Sequence, residues 1–219
     1  MRHSPDWGMS FYIQKEIIMS EMHLLKGSFY KRGEKMLSAK TIYLTTDRLE
    51  IRAWTLSDLN DFYDYARVDG VGQKAGWLPH KSIDESKEIL AKFIESDKEL
   101  AIVHRNHQKA IGSVGIRPIN YKKFPELKGK RGYELGYVLA KDYWGQGLMT
   151  EAVGAICDYL FSQNLVDFLL IVYRDVNIQS KRVAEKNSFS FYRKTKLPLP
   201  NSDQEVLATA TIAYKKENA

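Results

Sequence analysis

The fold of this chain follows from one stretch, Tyr133-Glu-Leu-Gly-Tyr-Val-Leu-Ala-Lys-Asp-Tyr-Trp-Gly-Gln-Gly-Leu-Met-Thr-Glu-Ala-Val153. Its first eight residues are mostly β-branched, aromatic or apolar, which predicts a strand. From Leu148 onwards apolar residues recur at helical spacing, which predicts a helix that continues to Gln163. Gly145 and Gly147 lie between these elements and predict a turn with an unobstructed backbone. Because unpaired N–H groups and the helix dipole converge at such a turn, the stretch predicts an anion-binding site.

Two common phosphate motifs do not fit this turn. A Walker A loop has a lysine and then serine or threonine directly after its second glycine, where this chain has Leu148 and Met149. A dinucleotide fingerprint requires an acidic residue near the C-terminal end of the next strand. The acid at that spacing, Asp167, instead begins the next predicted strand. The turn therefore remains a candidate site for another phosphate-containing ligand.

The rest of the chain predicts a mixed α/β sheet that contains one clear βαβ unit, Tyr133 to Tyr173. Alternating or apolar segments predict strands at residues 41–54, 100–104, 110–117, 166–173, 190–194 and 206–214. Helical spacing predicts helices after Thr55, after Ser82 and from Asn177 to Asn187. Glycine, proline and charged residues predict loops at 69–79, 118–132 and 197–203.

Composition is that of a single globular domain. The 219 residues are 44% hydrophobic and 27% charged, and the net charge of +6 suits an anionic ligand without predicting nucleic acid as the primary one. The only cysteine, Cys157, excludes a disulfide framework and is predicted to be a buried thiol. No membrane span or signal peptide is indicated, which predicts a cytoplasmic protein. Residues 1–35 lack a sustained pattern and are predicted to be an appendage to a domain at 36–219.

Five landmarks in this order and at these intervals resemble the GNAT family of acyl-CoA-dependent N-acetyltransferases. The resemblance is to the branch that includes ribosomal-protein N-acetyltransferases, and it covers most of residues 44–214. The landmarks are Leu44-Thr-Thr-Asp-Arg48-Leu-x-Ile-Arg52, Ile111-Gly-x-Val-Gly115-Ile, Glu134-Leu-Gly-Tyr137-Val-Leu, Tyr143-Trp-Gly-Gln-Gly147-Leu-Met-Thr-Glu151-Ala and Asn177-x-x-Ser180-x-x-Val183-x-x-Lys186-x-x-Phe189. The resemblance implies a mixed, mostly antiparallel central sheet flanked by helices.

The resemblance also implies acetyl-CoA as cosubstrate, without a metal. The pyrophosphate would bind the backbone N–H groups of the turn. The implied residues are Gly145, Gln146, Gly147, Leu148, Met149 and Thr150. Tyr137, Val138 and Leu139 would lend strand backbone to the pantetheine arm, which a bulge or splay in the sheet would leave free to pair. Asn177 and Ser180 match positions that reach pantetheine near the thioester, although Asn177 is also a good helix cap.

The implied reaction is direct attack of a primary amine on the acetyl carbonyl. We expect Glu134 to be the base that removes the proton of the amine. Many relatives carry a tyrosine as acid for the leaving thiolate, but Ala184 occupies that position here, so Ser180, Tyr192 or a water would have to serve. Ser188 replaces the family's usual glycine after the last helix, and this predicts that Asn187 takes the left-handed conformation there.

The acceptor would be a protein N-terminus or a small amine such as a polyamine. The protein would act as a monomer or a homodimer, without a membrane or nucleic-acid partner. The alternative is a non-catalytic regulatory module that binds acyl-CoA.

Overall fold

One eight-stranded sheet carries the fold in the computed structural model, which describes residues 37–215. The predicted appendage at 1–35 therefore lies outside the described residues. The strands are β1 (Leu44–Thr45), β2 (Leu49–Ala53), β3 (Glu99–His104), β4 (Lys109–Pro118), β5 (Gly132–Leu139), β6 (Phe168–Arg174), β7 (Ser190–Pro198) and β8 (Glu205–Tyr214). Their order is β1-β2-β3-β4-β5-β6-β8-β7, and every neighbouring pair is antiparallel except β5 and β6. The predicted mixed, mostly antiparallel sheet is confirmed.

Five helices pack against this sheet. They are α1 (Leu59–Ala66), α2 (Val71–Ala75), α3 (Ile83–Ser96), α4 (Leu148–Ser162) and α5 (Ile178–Lys186). None of the helices within residues 37–215 is both long and apolar enough to cross a membrane.

One face of the sheet is covered by α4. Its apolar stripe, which includes Leu148, Ala152, Ile156 and Leu160, packs against alternate strand residues such as Leu135 in the main hydrophobic core. Burying such a stripe is what holds a helix of this length in place, because isolated helices of this size are only marginally stable. Cys157 is buried in the same core as predicted, and burial raises the pKa of its thiol to about 12.

Two separate layers cover the opposite face. Helices α1 and α3 pack on β2, β3 and β4 around Trp54 and Phe62. The segment between β4 and β5 packs on β6 and β8 through Phe124 and Leu127, which are almost fully buried. The prediction of an exposed loop at 118–132 is therefore wrong for its apolar residues, which fill the face of the sheet that the helices leave open.

Three further predictions need correction. Residues 41–54 form two short antiparallel strands rather than one, because the chain reverses between Thr45 and Leu49. The predicted loop at 69–79 contains α2, which tertiary contacts hold in place. Strand β7 continues to Pro198, into the predicted loop at 197–203, because β8 pairs with it along its whole length.

The end of α5 also differs from the prediction. The left-handed residue is Ser188, with φ +62°, whereas Asn187 has φ −100°. Asn187 has another use, because its Nδ2 donates to the carbonyls of Val183 (2.9 Å) and Thr150 (3.3 Å) and so ties α5 to the first turn of α4.

Candidate active site

The glycine turn between β5 and α4 is open. Gly145 and Gly147 both have φ +78°, a left-handed conformation that favours glycine. A Cβ at Gly145 would meet no atom of the described residues within 4 Å, which leaves room for a ligand next to Gly145. Helix α4 begins at Leu148 without a side-chain cap. The N–H groups of its first turn have no carbonyl partners in the helix, and they lie at the positive end of the helix dipole.

Arg48 and Glu151 hold this turn from the side of β2. Arg48 donates from one terminal nitrogen to the Gln146 carbonyl (2.9 Å) and from Nε to Glu151 Oε2 (2.7 Å). Glu151 Oε1 also accepts from the Thr46 hydroxyl and from the Arg48 backbone N–H. Partial burial raises the pKa of Glu151, but the hydrogen bonds from Thr46 and Arg48 outweigh it, and the net pKa lies below the usual value. Glu151 therefore stays ionised and anchors the turn.

The sheet opens next to this turn. Strands β5 and β6 pair only from Gly132 with Phe168 to Glu134 with Leu170. Beyond Glu134 the strands separate, and within residues 37–215 Tyr137, Val138 and Leu139 keep only their pairing with β4. The sequence predicted that a bulge or splay would free this part of β5, and the structure has a splay.

Tyr137 and Ser180 meet across the splay. The Tyr137 hydroxyl lies 2.8 Å from Ser180 Oγ and 3.2 Å from the Ser180 carbonyl oxygen. Asn177 caps α5, because its Oδ1 accepts from the Ser180 N–H at 3.1 Å. Ala184, where many relatives have a tyrosine, is fully buried one turn later. Sequence reasoning used only the backbone of Tyr137 and missed its hydroxyl, since nothing in the sequence places that side chain against α5.

The hydroxyl of Tyr192, the other candidate acid, does not lie at the splay. It donates to Glu126 Oε1 at 2.8 Å, in the segment that covers β6 and β8. The structure thus brings Ser180, but not Tyr192, to the hydroxyl of Tyr137.

Glu134 points to the opposite face of the sheet from Tyr137, since residues an odd number apart on a strand face opposite ways. It is half-buried. Its register partner on β4 is Arg117, whose guanidinium lies 3.9 Å from where a Cβ of Gly136 would be.

Glu99 fixes Arg117 in that position. A terminal nitrogen of Arg117 lies 3.2 Å from Glu99 Oε1, and the Glu99 side chain is only 9% exposed. Burial raises the pKa of Glu99, and the nearby guanidinium offsets part of this effect. Sequence reasoning missed this pair. The glycine at position 115 is the one sequence feature that reflects this pair. Gly115 lies opposite Glu99 in the sheet, and a Cβ at position 115 would lie 2.5 Å from the Glu99 carboxylate.

Helix α2 bridges the splay on the Glu134 side. Lys74 Nζ donates to Gln179 Oε1 in α5 and lies 4.2 Å from the centre of the Trp144 ring, next to the glycine turn. The Gln73 carbonyl accepts from Arg174 of β6 at 2.6 Å. The helix is thus attached to both sides of the opening.

Two histidines of the β3–β4 hairpin, His104 and His107, lie near the same turn. Their rings stack with centroids 4.2 Å apart, and His107 Nδ1 lies 2.7 Å from the Tyr143 hydroxyl. His107 is exposed, whereas His104 is half-buried.

The sequence of this chain is similar to those of known acetyltransferases. Residues 48–190 match the acetyltransferase (GNAT) domain family. The chain is 29% identical over 167 residues to the probable N-acetyltransferase YjcK of Bacillus subtilis, over 70% of this chain and 83% of that protein.

Two solved structures share the fold. One is an acetyl transferase from Salmonella typhimurium that modifies the N-terminal serine of ribosomal protein L7/L12 (TM-score 0.62, 18% identity, 77% of this chain and 96% of that one). The other is spermidine N-acetyltransferase from Vibrio cholerae in complex with CoA and spermine (TM-score 0.62, 17% identity, 78% and 97%). Since the family match spans more than half of the sequence, this chain belongs to the GNAT family of acetyltransferases.

Proposed function

We propose that this GNAT acetyltransferase moves the acetyl group of acetyl-CoA onto a primary amine by direct attack of the amine. The observation that carries the proposal is the continuity between the glycine turn and the splay. The glycine turn at the N-terminus of α4 directly follows the end of β5. Within the described residues, this end of β5 pairs with β4 on one side and has no paired strand on the side of β6. In this proposal the catalytic unit is residues 36–219.

The described residues fit acetyl-CoA at both ends of this path. The N–H groups of residues 145–150 would hold the pyrophosphate, because they converge on open space at the positive end of α4. The free edge of Tyr137, Val138 and Leu139 would pair with the amide groups of pantetheine, as an added strand pairs with a sheet edge. Asn177 and Ser180 would line the other side of the splay, near the thioester.

Glu134 would serve as the base. It is half-buried on the strand that would carry the pantetheine arm, on the opposite face of the sheet from Tyr137. An amine entering there would transfer its proton to Glu134 as its nitrogen bonds to the carbonyl carbon. The C–S bond then breaks with its electron pair on sulfur, and Ser180 would donate a hydrogen bond to the resulting thiolate.

The acceptor is proposed as a protein N-terminus or a small amine such as a polyamine. The relatives support both, since the Salmonella typhimurium protein modifies an N-terminal serine and the Vibrio cholerae enzyme was solved with spermine.

A thiol-trapping assay tests the proposal. The protein would be mixed with acetyl-CoA and a panel of acceptors that includes short peptides with free N-termini, spermidine and amino sugars. Release of free CoA thiol that depends on one of these amines supports the transferase. Tight CoA binding without thiol release across the panel would favour the alternative, a regulatory module that binds acyl-CoA.

A further inference from the structure

The hydroxyl of Tyr137 contacts Ser180. It lies within hydrogen-bond distance of two oxygens of the same residue, the carbonyl oxygen and Oγ of Ser180. A carbonyl oxygen can only accept, and a serine oxygen can accept while its own proton is donated elsewhere. The Tyr137 proton is therefore directed towards Ser180 in either arrangement.

Tyr137 remains protonated at every pH at which the enzyme would work. Burial raises the pKa of its hydroxyl, and the hydrogen bond with Ser180 offsets only part of that rise. Asn177 fixes Ser180 from the other side through the backbone N–H. Ser180, a residue that is only 8% exposed, is thus held between the Tyr137 hydroxyl and the Asn177 cap at the edge of the splay.

We infer that Tyr137 is a positioning residue for the leaving group. It donates to Ser180 Oγ, and this leaves the Ser180 proton free to point at the sulfur. As the C–S bond breaks and its electron pair stays on the sulfur, the two linked hydroxyls share the stabilisation of the new negative charge. Both hydroxyls keep their protons. The proton lost by the amine leaves through Glu134 to solvent, and solvent protonates the released thiolate.

This inference rests on the proposed function, because it concerns the leaving thiolate of that reaction. The inference goes beyond the proposed function because it assigns a role to the side chain of Tyr137, which acts through Ser180. It also explains how a chain with Ala184 in α5 can stabilise the leaving group with hydroxyls from β5 and from the first turn of α5.

The test is a double-mutant cycle with Tyr137→Phe and Ser180→Ala, read by thiol release. We expect Tyr137→Phe to lower kcat about three- to tenfold, the effect of losing one neutral hydrogen bond, with KM for acetyl-CoA within about twofold of wild type. Ser180→Ala should lower kcat at least as much. The double variant should be no slower than Ser180→Ala, because Tyr137 acts only through Ser180. Tyr214→Phe, at the far end of β8, is the matched control and should keep wild-type kcat.

Three results would overturn the inference. One is wild-type kcat in Tyr137→Phe. Another is a loss that adds fully to that of Ser180→Ala. The third is a loss confined to KM or to thermal stability, which would assign Tyr137 a purely structural role. In each of these cases the wild-type enzyme still transfers acetyl groups, so the proposed function stands. If the wild type releases no thiol with any acceptor, the proposed function fails and this inference fails with it.

Discussion

The ammonium group of Lys74 lies 4.2 Å from the centre of the Trp144 ring, directly beside the glycine turn. The same group donates to Gln179 in the first turn of α5, so Lys74 touches both sides of the opening between β5 and β6. Arg48, a second cation at the turn, is paired with Glu151. Lys74 therefore adds positive potential where the pyrophosphate of acetyl-CoA is proposed to bind.

Replacing Lys74 by methionine should raise KM for acetyl-CoA about three- to tenfold, and the effect should shrink at high salt, because the side chain is exposed. S-acetylpantetheine, which lacks the phosphates, is the control substrate, and its KM should not change. An equal rise for both substrates would show instead that Lys74 matters only by holding α2.

Gly145→Ala tests the open turn. The cost in the free energy of unfolding should be about 1–2 kcal/mol, because alanine must adopt φ +78°. The new methyl group would occupy the space above the turn where the pyrophosphate is proposed to bind. KM for acetyl-CoA should rise at least tenfold, a loss equal to one or two hydrogen bonds to a charged group. Gly129→Ala is a matched control, since Gly129 has φ +90° and equally free space around it. If both variants bind acetyl-CoA like wild type, the turn is not the pyrophosphate site.

Glu134→Gln tests the base. Removing a positioned base should lower kcat/KM for the amine about 10²- to 10⁴-fold and leave KM for acetyl-CoA unchanged. The acidic limb of the pH–rate profile, which reports protonation of the base, should disappear in this variant. A variant with the wild-type profile and rate would remove Glu134 from the mechanism and leave water as the proton acceptor.

Glu151 should make the fold sensitive to acid. Its pKa is lowered in the folded protein, so its contribution to stability is full above the unfolded pKa, near 4.5, and is lost as the pH falls through the folded value. Glu151→Gln should cost about 1 kcal/mol in the free energy of unfolding at pH 7 and almost nothing at pH 3. Urea unfolding at both pH values measures this. A deficit that is the same at pH 3 and pH 7 would contradict the account.

Glu99 should behave in the opposite way. Burial raises the pKa of Glu99, so ionising it costs stability once the pH rises above the unfolded value. Glu99→Gln should therefore be at least as stable as wild type at pH 8, and the difference should disappear towards pH 4. Greater stability of the wild type at pH 8 would mean that the ion pair with Arg117 outweighs the cost of burial.

The elements that the sequence predicts correctly are those that local sequence patterns determine. The strand, the glycine turn and α4 follow from composition and from apolar spacing around Gly145 and Gly147, and the structure contains all three. Helix α2 was missed because three glycines predict a loop there, whereas the contacts that hold it, such as Arg174 with the Gln73 carbonyl, join residues about a hundred positions apart.

Side-chain partnerships at the site were missed for the same reason. The pairs Tyr137 with Ser180 and Glu99 with Arg117 depend on the register of the strands and on where α5 meets the sheet. The left-handed conformation falls on Ser188 and not on Asn187, and this also depends on a tertiary contact, since the Asn187 side chain donates to the Thr150 carbonyl of α4. Local residue preferences contain no information on such contacts.

The central claim is that this chain transfers acetyl groups to amines. Mass spectrometry of an amine acceptor panel, after incubation with acetyl-CoA labelled with deuterium in the acetyl group, tests it most directly. The account predicts an acceptor that gains one labelled acetyl group on nitrogen with the wild type, at a rate sharply reduced in Glu134→Gln. No labelled acceptor with wild-type protein that binds CoA tightly would contradict it.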